Sequence, residues 1–250
     1  MIRLQTVEKP AQLTDELVAE LTQKYKDDGT DVWKQKYIVE ALLKMSTNKC
    51  CFCETKLQEE SKYMEVEHFH PKSLYPHEVV LWENLLPICK RCNVKKGKHN
   101  TEQEPIIHPV KDNPKEHLEL KNYRFYGSTP LGKLTVEVVY LNDRQRLTDI
   151  RYKLGTAINE KLGDLVQLTH DYVNDLSTRR KNKIIGTLKN IMLEGTREFE
   201  YSATAATVIL TNPDYLEIKR LFKTFDDDDN KLWTQDFVNL EKEVEYCALI

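Results

Sequence analysis

No stretch of this chain approaches the roughly 20 consecutive apolar residues that a membrane-spanning helix needs. The opening, MIRLQTVEKPAQLTDEL, also lacks the apolar segment of an export signal. The expected location is therefore cytoplasmic, with no membrane partner. Glycine and proline are scarce, at 8 and 9 of 250 residues, and neither a low-complexity linker nor an internal repeat interrupts the chain. A phosphate loop of the form G-x-x-x-x-G-K-[ST] is missing too, so any nucleotide gating has to come from another protein. Nor does one sign of charge dominate. The 37 Lys and Arg against 40 Asp and Glu leave a net charge of -3, which argues against a generic nucleic-acid coat. A local basic face stays open, because binding follows patches more than totals.

What is present reads as soluble and globular: 40% hydrophobic and 31% charged residues, enough for one large domain or two small ones. One basic patch is CKRCNVKKGKHN, residues 89 to 100, with five Lys/Arg and no acid. A second, STRRKNK at 177 to 183, reads first as a solvated face. Leu17, Val18, Leu21 and Tyr25 have helical spacing closed by Gly29, and Trp33, Tyr37, Leu42 and Met45 continue a second stripe from about Asp31. YMEVEHF and NLLPIC suit short strands, and CNVKKG a short helix stopped by Gly97. Residues 123 to 141, with the β-branched run KLTVEVVYL after turn signals, predict a hairpin or a pair of strands. From about Asp143 the spacing is mostly helical. DDDDNKLW is an acidic loop in which Asp229 or Asn230 can cap the last helix.

The six cysteines are unevenly placed. CCFCE holds Cys50-x-x-Cys53 and CKRCN holds Cys89-x-x-Cys92, while Cys247 is alone. Two CxxC turns a few dozen residues apart offer the four thiolates of a tetrahedral structural zinc site. A thioredoxin-like redox reading lacks its βαβ context. Cys51 reads as a bystander and Cys247 as a plain buried thiol. A four-cysteine site is coordinatively closed, so chemistry must come from what it positions.

Between the CxxC turns lie EVEHFHPKS and LWENLLPIC, and Asn93 then VKKG follow the second. The order CxxC, Glu-His, Glu-Asn-Leu, CxxC-Asn, Lys-Gly resembles the HNH nuclease family in its zinc-bearing ββα-metal form, over residues 50 to 97. The resemblance implies an α+β fold: a small ββα-metal core framed by four cysteines, with N-terminal helices and a mostly helical C-terminal region. The corresponding segments are 1–48, helical; 49–109, the nuclease core; 110–142, a β-rich connection; and 143–250, helical. It also implies His68 as general base, Glu67 and Asn93 as ligands of a catalytic Mg²⁺ or Mn²⁺, and Asn84 as the brace of the histidine loop. The family usually carries aspartate before the base histidine, and Glu67 has the longer arm. Adjacent strand residues face opposite ways, so Glu67 and His68 share a site only if the strand ends or distorts there, and Pro71 just downstream is consistent with an ending. Lys95 and Lys96 are placed to hold phosphates. His70 is a further candidate for phosphate or metal, against a structural histidine beside the zinc loop. Glu65 reads as a solvated strand position.

Weaker matches, HPVKDNPKEHLEL and LNDRQRLTDIR, resemble the HNH component of Septu-type anti-phage systems, including those attached to retrons. That branch implies a defence nuclease held by an ABC-type ATPase partner. DNA is the favoured substrate. The alternatives are an RNA-cleaving toxin nuclease, for example on tRNA, and a zinc-framed module that binds nucleic acid or protein without cutting.

Overall fold

The computed structural model describes residues 1–59, 63–224 and 232–250. The chain divides into two compact units, one of Met1–Glu119 with Phe125–Asn142, the other of Leu120–Arg124 with Asp143–Ile250.

In the first unit, α1 spans Asp15–Asp28. The Thr14 hydroxyl caps it by accepting from the Leu17 N–H, and Gly29, left-handed at φ 73°, closes it. Helix α2, Lys36–Met45, begins later than its apolar stripe suggested, and Trp33 lies in the preceding turn. Its buried face is Ile38, Leu42 and Met45, with Tyr37 only half-buried. Strands β1 (Met64–His68) and β2 (Leu85–Cys89) pair antiparallel, with Glu67 opposite Leu86 and His68 opposite Leu85. The chain runs from β2 straight into α3, Lys90–Lys96, which ends at Gly97. This glycine has φ +53°, and its N–H donates to the Asn93 carbonyl. The ββα unit expected from the motif is thus formed.

The connection departs from expectation. A hairpin of β3 (Leu118–Lys121) and β4 (Arg124–Gly127) comes first, and KLTVEVVYL falls mostly on a helix, α4, Pro130–Val138. Local start signals outweigh β-branched propensity here. Thr129 is the N-cap, its hydroxyl accepting from the Gly132 N–H, and Pro130 fills the first helical position. Gly132 packs so closely on the His117 carbonyl that a Cβ would come within 1.9 Å of its oxygen. Thr135 points inward and its hydroxyl accepts from the Ile107 N–H at 2.8 Å.

The second unit is helical: α5 Asp149–Asn174, α6 Thr178–Glu194, α7 Ser202–Thr211, α8 Pro213–Thr224 and α9 Gln235–Cys247. Ile158, Leu162, Leu165, Thr169 and Tyr172 form the buried stripe of α5, and α7 is buried on nearly every side. Asp229 and Asn230 lie outside the described residues, and Thr234 occupies the N-cap of α9. The basic run 177–183 covers the exposed start of α6, where Arg180 pairs with Asp175 at 2.5 Å. No described helix is long and apolar enough to cross a membrane.

Candidate active site

The ligand sulfurs of Cys50, Cys53, Cys89 and Cys92 all lie within 4.8 Å of one another. Cys53 and Cys89 approach to 3.7 Å. Sulfurs about 2.3 Å from one tetrahedral zinc would be about 3.8 Å apart, so the cluster fits that ion. Burial pushes the Cys50 and Cys92 thiols up, and neighbouring thiols push Cys89 up. Only Cys53 is held low, by hydrogen bonds from Cys50, Cys89 and Cys92. Four thiolates this close together, three of them buried, therefore need a cation among them. The Arg91 guanidinium donates to the Cys92 sulfur at 2.9 Å and supplies further positive charge. Cys51 is outside the cluster, but its N–H donates to the Pro87 carbonyl at 2.9 Å and ties the first knuckle to β2. Cys247 is buried and outside the cluster too.

Beside this frame is a cleft of about 190 Å³, lined by Glu67, His68, Lys72, Asn93 and Lys98 among others. Strand β1 ends at His68, as sharing of one site by Glu67 and His68 required. The Nε2 of His68 meets the Val79 carbonyl at 2.9 Å. A carbonyl only accepts, so Nε2 carries the proton and Nδ1 is left as the basic nitrogen. Trp33 packs edge-on against the imidazole, with ring centroids 4.8 Å apart. Burial, with the nearby Lys72 and Lys96 charges, pulls the His68 pKa down to about 4, so the ring is neutral near pH 7.

Glu67 is 3% exposed, and burial raises its carboxyl against the opposing pull of Lys96. The Lys96 ammonium meets Glu67 Oε1 at 2.5 Å and donates to the His68 carbonyl at 3.0 Å. Asn93 donates through Nδ2 to Glu65 Oε2 at 2.6 Å. A carboxylate and an amide oxygen are hard donors, suited to a divalent cation such as Mg²⁺ that keeps most of its waters. The donor set of Glu67 and Asn93 therefore fits such a metal.

Asn84 ties the loop after His68 together. Its Oδ1 accepts from the His70 N–H at 2.7 Å, and its Nδ2 donates to the carbonyls of His70 and Glu78. The loop it closes leads to Val79, the partner of His68. His70 turns away into a network with Glu78 at 2.7 Å and Glu102 at 3.6 Å, and is not among the residues lining the cleft.

The two lysines expected on phosphate part company. Lys95 is exposed, its ammonium 4.8 Å from the centre of the Tyr140 ring. Lys96 is buried on Glu67, so its charge is spent inside the protein, contrary to the expectation that it faces a phosphate. Lys72 and Lys98 stand at the cleft instead. Their signals were positional: one follows Pro71, the other Gly97. Trp33, read as packing, touches the candidate base, and Glu65, read as a solvated position, holds a candidate ligand.

Residues 50–99 match the family model described as HNH endonuclease. The chain is 44% identical over 223 residues to the Septu protein PtuB of Bacillus thuringiensis, an alignment covering 88% of this chain and 86% of that protein. It is 30% identical over 164 residues to the Septu protein PtuB of Bacillus mycoides (strain KBAB4), covering 52% and 55%. No solved structure matches it.

Proposed function

This chain belongs to the family of Septu protein PtuB, and from that premise we propose that it is the effector nuclease of an anti-phage defence complex, hydrolysing phosphodiester bonds with DNA as its favoured substrate. One observation carries the chemistry: Glu67, His68 and Asn93 line one cleft, and one polar atom of each is already engaged by Lys96, Val79 or Glu65. His68 is the general base. Its neutral Nδ1 takes the proton of an attacking water, while Val79 holds the ring in place. Glu67 and Asn93 hold Mg²⁺ or Mn²⁺, which when bound supplies positive charge for the phosphoryl and leaving oxygens. Lys72, Lys98 and Lys95 grip the backbone. The products carry a 5′-phosphate and a 3′-hydroxyl.

The reading extends to an ABC-type ATPase partner, as the resemblance to Septu-type systems implies, and to action in the cytoplasm. The absence of a phosphate loop in this chain supports the first. Four cysteines gathered into a metal-type cluster, the usual use of cysteine in a reducing compartment, support the second.

The test is cleavage of labelled DNA and RNA by zinc-loaded wild type and His68→Ala, with and without Mg²⁺ or Mn²⁺, alone and with the ATPase partner and ATP. Metal-dependent cutting that drops at least about 100-fold in His68→Ala, with zinc content unchanged, is the expected result. Cutting of RNA alone would replace DNA by RNA. Silence in every arm would leave a non-catalytic binding module.

A further inference from the structure

The geometry points to Glu65 as a positioning residue that decides which end of the Asn93 amide faces the cleft. This rests on the reading of Asn93 as a metal ligand. The 2.6 Å contact runs from the Asn93 amide nitrogen, which donates, to Glu65 Oε2, which accepts. The amide oxygen is then directed away from Glu65, and Asn93 lines the cleft. Among the described residues, Asn93 is otherwise held through its backbone, whose carbonyl accepts from the Gly97 N–H at 2.8 Å. Its amide remains able to rotate, and the two orientations are opposite in their effect on a cation: one offers an oxygen, the other two N–H groups.

Glu65 is well placed for this task. It is held on β1 in register with Ile88, two residues before Glu67 and so on the same face of the strand. One strand face thus carries a candidate ligand and the group that orients the other ligand. Without Glu65, a fraction of molecules would present Nδ2 to the cleft, and the apparent metal affinity would fall with the population of the competent orientation.

The experiment is a Mn²⁺ titration of the zinc-loaded full chain, followed by electron paramagnetic resonance, for wild type, Glu65→Ala, Glu65→Gln, Asn93→Ala and the double variant Glu65→Ala/Asn93→Ala. Glutamine is neutral but keeps an oxygen that can accept from Asn93. Glu65→Ala is expected to weaken Mn²⁺ binding about tenfold, within the range for outer-shell partners of metal ligands. Glu65→Gln stays within about threefold of wild type, and the double variant binds no worse than Asn93→Ala alone. In cleavage, Glu65→Ala raises the metal concentration for half-maximal rate and leaves the rate at saturating metal close to wild type. Wild-type affinity in Glu65→Ala, equal losses in Glu65→Ala and Glu65→Gln, or additive losses in the double variant would each overturn the proposal. Those results, with Asn93→Ala impaired, leave the nuclease reading standing. Absence of Mn²⁺ binding by wild type, or full binding by Asn93→Ala, would remove the metal reading itself and this proposal with it.

Discussion

The four-cysteine frame and the cleft beside it are built on opposite plans. The frame uses one ligand type from two tight turns, and its sulfurs converge within 4.8 Å. The cleft draws on a carboxylate, an imidazole and an amide. Each is set by a separate partner: Lys96 for Glu67, Val79 for His68, Glu65 for Asn93. A closed, uniform site stores folding energy, whereas an open, mixed one needs its neighbours to decide which atom is left for chemistry.

The strongest way to break the comparison is to remove the frame. Cys89→Ser deletes a ligand that closes the site at the junction of β2 and α3. Zinc binding of such sites is folding free energy. Metal analysis should find the zinc lost, and the first unit should melt early or fail to fold. A normal melting curve with full cysteine-bound zinc would contradict the frame.

The cleft should break differently. Lys96 and Glu67 are a buried ion pair, and removing one partner of such a pair typically costs about 3–5 kcal/mol. Lys96→Met should lose stability on that scale in urea unfolding while keeping its zinc. Adding Glu67→Gln should recover part of the loss, because it removes the stranded charge. A Lys96→Met variant as stable as wild type would mean that the pair contributes little.

The same contrast explains what could be read from the chain before folding. Cysteine spacing announces a zinc site because each pair of ligands is local, and the Glu-His and Cys-Asn steps are local too. The orienting partners are not. Glu65 and Asn93 are 28 residues apart, as are Lys96 and the His68 carbonyl, and only strand pairing and the angle of α3 bring them together. Lys95 and Lys96 look alike in sequence. A helix turns about 100° per residue, which sends one into solvent and the other onto Glu67. The strand expectation for KLTVEVVYL failed for a related reason. Its β-branched residues are a weak preference, overruled by the cap at Thr129 and the close approach of Gly132 to His117.

A smaller effect separates histidines by pH. His108, outside the cleft lining, is buried, and this with the Lys111 charge pulls its pKa down to about 4. Between about 6.5 and about 4 the unfolded chain takes up a proton that the folded chain refuses. Stability is therefore lost as pH falls through that window, by on the order of 3 kcal/mol, and this contribution is flat below it. His108→Asn keeps an acceptor for the N–H groups of Val110 and Lys111, which bond Nδ1 at 3.2 and 3.3 Å. Urea unfolding from pH 7.5 to 4 should be less steep in pH for this variant, and equal slopes would remove His108 as the source.

The smallest expected effect is the most direct test of the two lysines. Lys95→Ala removes an exposed cation resting on Tyr140, so the melting temperature should not change. Each cation on a phosphate contributes a released counterion, and binding should weaken alike for all sequences, with the slope of log affinity against log salt falling by about one. Binding is read on uncut nucleic acid with Mg²⁺ omitted. Lys96→Met, once its stability loss is allowed for, should leave that slope unchanged, because its ammonium never reaches the solvent. A salt slope altered by Lys96 and not by Lys95 would mean that the two side chains trade places on the substrate, and that the burial of Lys96 on Glu67 belongs only to the free protein.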